Sequence, residues 1–170
     1  MASEVLVKSG TPISVTCTIA GLITSSTSGG RQSAKVDLGA TRAQTMLVRL
    51  QTSFTTAPTA SGAIEVYVAF SSISTAANGN AVNLTGADTA YVGYNNDLNV
   101  AKAQLQFVGI MSVSVTTSTT VAQICDVGTF TPMDRYCQII VVNTCSQPLN
   151  AATNQPGHAI TIYPLADEIQ

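Results

Sequence analysis

The stretch that decides the fold is Tyr-Cys-Gln-Ile-Ile-Val-Val-Asn-Thr-Cys at positions 136–145. Its centre, from Ile139 to Val142, holds four β-branched residues with no polar residue between them. A strand with one face in water alternates apolar and polar residues, whereas a strand covered on both faces does not. The stretch therefore predicts a central strand that is buried on both sides.

Alternating runs predict further strands on either side of this one. The first run places Ile13, Val15, Cys17 and Ile19 between polar or small residues, which is the period-two pattern of a half-buried strand. The other predicted strands span residues 34–38, 46–51, 64–70, 107–115, 121–130 and 159–165. The strands at 107–115 and 121–130 are predicted to form a hairpin through the turn between them. Pro164 cannot donate to a ladder, so it is predicted to lie at a strand end or on an edge.

Eight strands predict an all-β fold, specifically an eight-stranded antiparallel β-sandwich of jelly-roll type. One short helix is predicted over Asp97–Leu105, where Leu98, Ala101 and Leu105 share a face. Residues 71–96 form a long loop between strands. The whole is one domain over residues 12–170, preceded by an extended N-terminal arm over residues 1–11.

Charge is scarce throughout the chain. Charged residues make up 9% of the 170 residues, the formal net charge is −2, and the seven cations are scattered rather than clustered. A protein that binds nucleic acid by neutralising phosphates needs a basic patch, so a nucleic-acid partner is not expected. No apolar run approaches the roughly 20 residues that cross a bilayer, so a membrane partner is not expected either. The first residues also lack the basic and apolar regions of a secretory signal.

Two segments are candidates for contact with a partner. Tyr91 and Tyr94 lie in the long loop, and loop tyrosines supply a large contact area at low entropic cost. The alternative is that both tyrosines pack the loop onto the sheets. In the N-terminal arm, Val5, Leu6 and Val7 form an apolar trio followed by Lys8, a pattern suited to adding a strand to the edge of a neighbour.

The sequence offers no set of residues for catalysis or cofactor binding. His158 is the only histidine, and no nucleophile elbow accompanies it, so neither a Ser-His-Asp triad nor a zinc enzyme is expected. Asn95, Asp97 and Asn99 resemble the start of a calcium loop, but the required glycine and glutamate positions are occupied by other residues. No enzyme activity, metal or cofactor is predicted.

The four cysteines, Cys17, Cys125, Cys137 and Cys145, form no CxxC pair and match no zinc module. They are predicted to be small buried hydrophobic residues. A disulfide between Cys137 and Cys145 is disfavoured, because eight extended residues at roughly 3.3 Å each would hold the two apart.

Six short motifs in the C-terminal half to two-thirds of the chain form a recognisable set. They are Asn83–Tyr91 (NLTGADTAY), Gln104–Gly109 (QLQFVG), Gly128–Pro132 (GTFTP), Arg135-Tyr136, Val141–Asn143 (VVN) and Tyr163–Gln170 (YPLADEIQ). With these motifs the chain resembles small virion proteins of tailed bacteriophages, in particular head cement or decoration proteins.

The resemblance implies a β-sandwich that forms a homotrimer on the outer surface of the capsid and bridges neighbouring copies of the major capsid protein. The N-terminal arm would then grip the capsid or an adjacent subunit. A tail-associated protein of similar fold that binds a receptor or glycan is the alternative. A catalytic function would have to use His158.

Overall fold

The computed structural model describes residues 5–24, 29–58, 62–115, 121–151 and 157–169. The strands found there are β1 (Val5–Ser9), β2 (Ile13–Ser14), β3 (Gly30–Gln32), β4 (Val36–Asp37), β5 (Thr45–Thr52), β6 (Ala63–Ser71), β7 (Thr89–Tyr91), β8 (Gln106–Ser112), β9 (Gln123–Phe130), β10 (Tyr136–Asn143) and β11 (Ala159–Ile169). The same residues contain one short helix, α1 (Leu98–Lys102).

The fold is all-β, and its strands form two antiparallel sheets. The five-stranded sheet has the order β1-β11-β5-β9, with β2 also pairing with β11. The six-stranded sheet has the order β7-β3-β10-β6-β8, with β4 also pairing with β10. Strands that pair are mostly distant in sequence, so the topology cannot be assembled from hairpins alone.

Each of the eight predicted strands has a counterpart, but the described residues hold eleven strands. The three additions are β1, β3 and β7, which contain five, three and three residues. Two predicted strands are much shorter than expected, since β2 and β4 contain two residues each. The predicted helix is also present, although α1 covers only five residues.

One hydrophobic core lies between the two sheets. From the five-stranded sheet it takes alternate residues of β5, including Met46, Val48 and Leu50, which are fully buried. From the six-stranded sheet it takes Ile64 and Val66 of β6, together with alternate residues of β10. The apolar residues at every second position of these strands therefore lie on one face of each sheet, and the two faces share one core.

The prediction for the central strand is confirmed. β10 lies between β6 on one side and β3 and β4 on the other. Ile139 and Val141 belong to the shared core, whereas Ile140 and Val142 belong to a second buried cluster on the opposite face. All four are at most 1% exposed, which explains why this strand has no alternation.

The predicted hairpin of β8 and β9 is wrong, because these strands belong to different sheets. β8 pairs with β6 and β9 pairs with β5, so they form the edges of the two sheets. The two edges lie very close together at Gly109 and Gly128. A Cβ atom added to Gly109 would lie 2.2 Å from the carbonyl oxygen of Val127, and one added to Gly128 would lie 2.2 Å from the carbonyl oxygen of Val108. Each valine is the extra residue of a β-bulge. The two glycines therefore permit a reciprocal close approach of the backbones at one corner of the fold.

The prediction for Pro164 is also wrong, because the proline lies in the middle of β11, which has strands on both sides. Its carbonyl accepts a hydrogen bond from the Gly10 N–H at 2.7 Å. In an antiparallel strand the N–H and C=O of one residue point to the same side. The missing N–H of Pro164 therefore faces the short connection between β1 and β2, and the ladder with β5 loses no hydrogen bond.

Candidate functional site

The N-terminal contact candidates lie on an edge of the five-stranded sheet. In this chain Val5, Leu6, Val7 and Lys8 belong to β1, which pairs with the last residues of its own β11. The Gly10 N–H donates to the Pro164 carbonyl, and in an antiparallel pair every second residue faces the partner strand. The N–H and C=O groups of residues 5, 7 and 9 therefore point away from β11. The side chain of Val7 is 69% exposed. The strand therefore presents an open edge, and pairing of this edge with a neighbour stays a prediction.

Tyr91 lies in a buried position rather than on the surface. It is 1% exposed, and its hydroxyl donates a 2.9 Å hydrogen bond to the carbonyl of Val82. Burial raises the pKa of this hydroxyl to about 12. Of the two roles considered for Tyr91, the structure favours packing of the long loop onto the sheet.

Tyr94 begins a tight turn and is 46% exposed. Its backbone exchanges two hydrogen bonds with Asp97, and the carboxylate of Asp97 accepts from the N–H groups of Asn99 and Val100 at the start of α1. Asp97 is thus a helix cap, which accounts for the Asn95, Asp97 and Asn99 pattern without a calcium ion. A contact role for Tyr94 stays a prediction.

The outer face of the six-stranded sheet is covered by the chain itself over β6 and β10. At the β8 edge of this face, Phe107 and Ile110 stay 53% and 48% exposed. Residues 72–105, which we call the covering segment, contain α1, which packs on this face, and β7, which is itself an edge strand of the same sheet. Leu84, Leu98, Ala101 and Leu105 of this segment pack against outward-facing residues of β6 and β10. The sequence predicts a long loop over residues 71–96 and a helix after it, and in the structure the two together bury a second apolar layer.

Two polar contacts tie the covering segment to the sheet. Gln32 of β3 is 1% exposed, and its side-chain oxygen accepts from the N–H of Thr85 at 2.8 Å. Arg31 Nε donates to Asp88 at 2.6 Å, and the carboxylate also accepts from the N–H of Thr18 at 2.9 Å. Desolvation raises the pKa of Asp88, but these hydrogen bonds outweigh it and hold the pKa below its usual range.

Lys35 holds the first part of the covering segment. Its ammonium lies within 3.1 Å of four oxygen atoms, of which three are backbone carbonyls of the segment. The four acceptors are the hydroxyl of Ser71 and the carbonyls of Ile73, Thr75 and Asn78. Desolvation lowers the pKa of Lys35. The Lys35 side chain therefore holds together residues 73–78, which contain no helix or strand.

The outer face of the five-stranded sheet has no such cover in the described part of the chain. We call it the open face, and it consists of Leu47, Arg49, Gln51, Ile124, Asp126, Thr161 and Tyr163. Ile124 is 60% exposed at its margin. Arg49 forms a bidentate pair with Asp126 at 2.6 and 2.9 Å and lies 5.1 Å from the centre of the Tyr163 ring. The face thus combines apolar side chains with one bidentate ion pair.

A cleft of about 380 Å³ lies at the end of this face that is nearest to β1. It is lined by Val7, Arg42, Thr45 and Leu165, among others. Among the described residues Arg42 has neither an ion pair nor a hydrogen bond. An anionic group of a partner could therefore bind its guanidinium without displacing an existing contact.

His158, which a catalytic function would have to use, is held by two hydrogen bonds within the fold. His158 lies 2.8 Å from the Thr52 hydroxyl through Nδ1 and 2.6 Å from the Asn150 carbonyl through Nε2, so Nε2 carries the proton and donates. Desolvation lowers its pKa, and the hydrogen bond to Asn150 opposes this shift.

Burial raises the pKa of the Cys17 and Cys137 thiols to about 12 and that of Cys145 to about 11. The four cysteines are free thiols.

Within the described ranges, no three or more His, Cys, Asp or Glu side chains come together in a way that could hold a metal ion. The helix present there is too short to cross a bilayer.

Comparisons with known proteins found no match for the chain among protein-family models, curated protein sequences or solved structures.

Proposed function

We propose that this chain is a non-enzymatic structural protein of a phage virion, which decorates and stabilises the capsid by bridging subunits of the major capsid protein. The motif resemblance described above supports the phage assignment. The observation that carries the docking role is the open face of the five-stranded sheet, which continues into the Arg42 cleft and the free edge of β1. One side of the molecule thus offers apolar surface, an unpaired cation and unpaired backbone groups.

The finer architecture proposed for the chain is a jelly-roll β-sandwich. It is supported by two antiparallel sheets on one core and by strands that pair far along the sequence. The proposed assembly is a homotrimer on the outer surface of the head. Three footings of about −8 kcal/mol each, which is micromolar affinity, become a long-lived attachment when one rigid trimer joins them.

The docking role is tested by two matched substitutions on opposite sides of the chain. Ile124→Lys places a charge on the open face, and Val100→Lys places the same charge on α1, where Val100 is 46% exposed. Binding is measured to purified heads that are assembled from the major capsid protein but lack the decoration protein. We expect Ile124→Lys to weaken binding roughly tenfold or more and Val100→Lys to leave it unchanged. Equal affinities of both variants would rule out the open face as the footing.

The N-terminal strand provides a second test. Removal of residues 1–8 takes away the open edge together with the exposed Val7, so capsid binding should be lost. The remaining sheets should stay folded, which circular dichroism checks. Full binding by a folded truncated chain would exclude a role of the arm in attachment.

A tail-associated protein that binds a receptor or glycan is the second candidate. It is favoured by a neutral, asparagine-lined cleft on the covered side of the molecule, described next. Glycan binding by the isolated chain without binding to heads would support this candidate over capsid decoration.

A further inference from the structure

The cleft lies between the end of β7 and two turns of the covering segment. Its volume is about 300 Å³, and its lining includes Asn83, Thr85, Val92, Asn95 and Asn96. None of the residues that line it carries a charge. This space is separate from the open face and from the Arg42 cleft.

The two turns have an unusual backbone. Val82 and Asn83 have φ values of 43° and 59°, and Asn95 and Asn96 have φ values of 51° and 61°. Among the described residues these are the four non-glycine residues with positive φ, and all four belong to the two turns at this cleft. Two successive left-handed residues define a type I′ turn, and hydrogen bonds across residues 81–84 and 94–97 close both turns.

Asparagine adopts the left-handed region readily, whereas a β-branched residue such as Val82 adopts it only with backbone strain. The hydroxyl of Tyr91 donates to the carbonyl of Val82 at 2.9 Å and so helps to hold this turn in place. Residues in sparsely populated backbone regions persist only where their surroundings enforce them, and they concentrate at binding sites. The buried Tyr91 therefore stabilises the conformation that brings Asn83 to the cleft.

The amide groups at the cleft are available to a ligand. Asn83, Asn95 and Asn96 line the cleft, and their side chains have no hydrogen-bond partner among the described residues. Each amide offers two donor hydrogens and one acceptor oxygen. Val92, which is 43% exposed, adds an apolar surface beside them.

We propose that this cleft binds a neutral saccharide. A sugar hydroxyl both donates and accepts, so a carboxamide can bond two neighbouring hydroxyls at once, while Val92 contacts the C–H face of the ring. The absence of a cation among the residues that line the cleft favours a neutral sugar over an acidic one. The proposal does not rest on capsid decoration, because a head protein and a receptor-binding protein could both carry such a site.

The test uses the full chain, labelled with ¹⁵N, and titrates it with the methyl glycosides of glucose, galactose, mannose and N-acetylglucosamine. We expect at least one of them to bind with millimolar affinity and to shift the amide resonances of residues 81–84 and 94–97. No shift with any of the four at tens of millimolar would overturn the proposal. Tighter binding of N-acetylneuraminic acid than of every neutral sugar would overturn the assignment of a neutral ligand.

Glycine substitutions separate the amide groups from the backbone shape. Glycine adopts positive φ readily, so N83G, N95G and N96G remove the amides while they preserve the turns. The triple variant should bind at least tenfold more weakly, and each single variant should show part of this loss. The control N99A removes an exposed amide of α1 outside the cleft and should bind as the unmodified chain does. Unchanged binding by folded triple and single variants would contradict the site.

Discussion

The outer faces of the two sheets differ in how much of each is covered by the chain itself. Over the six-stranded sheet, residues 72–105 bury a second apolar cluster that includes Tyr91 and Leu98. Over the five-stranded sheet, Leu47, Tyr163 and Ile124 face outward without a comparable layer in the described residues. A surface that its own chain buries offers little area to a partner, whereas an open face that carries exposed apolar side chains beside polar ones is suited to one.

Two tyrosines provide the sharpest contrast between the faces. Tyr91→Ala removes a buried ring and its hydrogen bond to Val82, so it should lower the free energy of unfolding by about 3–5 kcal/mol. Tyr163→Ala removes a partly exposed ring of the open face and should lower it by less than about 1.5 kcal/mol. Urea denaturation measures both. Equal losses would mean that the open face is covered as well.

The second prediction concerns the corner where the two sheets meet. Gly109→Ala and Gly128→Ala would each place a methyl group 2.2 Å from a carbonyl oxygen of the opposite strand. The backbones must move apart, which should cost about 1–3 kcal/mol of stability. The control Gly157→Ala has no atom within 4 Å of the new methyl group, and its thermal midpoint should stay close to that of the unmodified chain. A stable Gly109→Ala variant would contradict the close approach.

The third prediction tests whether Lys35 holds the covering segment. Lys35→Met removes an ammonium that serves four oxygen atoms, so stability should fall by about 1–2 kcal/mol. Cleavage by a protease should rise within residues 72–80 and not on the open face. Arg42→Met, which removes a cation without a protein partner, is the matched control and should leave both stability and cleavage unchanged. Identical cleavage patterns for the two variants would contradict the prediction that Lys35 holds the covering segment in place.

The smallest effect is a dependence on pH at the end of the five-stranded sheet. Burial lowers the pKa of His158 below its ordinary value of 6.5, so the unfolded chain takes up a proton before the folded chain does. The contribution of His158 to the free energy of unfolding should be constant above this value and decline as the pH falls below it. Asp37 and Asp126 have lowered pKa values and contribute only near and below 3.8, so the two ranges are distinct.

His158→Gln is the control for this titration. It should flatten the curve between about pH 6.5 and the range in which carboxylates titrate. A slope that persists in this variant would assign the effect to another group.

Much of the fold could be predicted from local sequence patterns, because alternation and apolar runs report which residues are buried. Partnership between strands could not be predicted in this way. β8 and β9 are neighbours in sequence, yet they pair with β6 and β5, which the alternation of side chains does not encode. Gly109 and Gly128 within these two strands were the available signal of a close backbone approach.

The short strands and the contact residues were harder to predict. β3 and β7 contain three residues each and cannot display a period. Tyr91 and Tyr94 occupy similar sequence surroundings, but one ring is buried and the other is exposed, because this depends on what the covering segment packs against. The apolar trio of β1 was predicted to lie in an extended arm that adds a strand to a neighbour, whereas in this structure it pairs with β11 of its own chain.

The central claim is that the open face meets the capsid. A cryo-electron microscopy reconstruction of the intact virion tests it most directly. The account predicts density for this domain on the outer surface of the head, with the five-stranded sheet toward the shell and α1 toward solvent. Density on the tail, or on the head with the covering segment toward the shell, would contradict it.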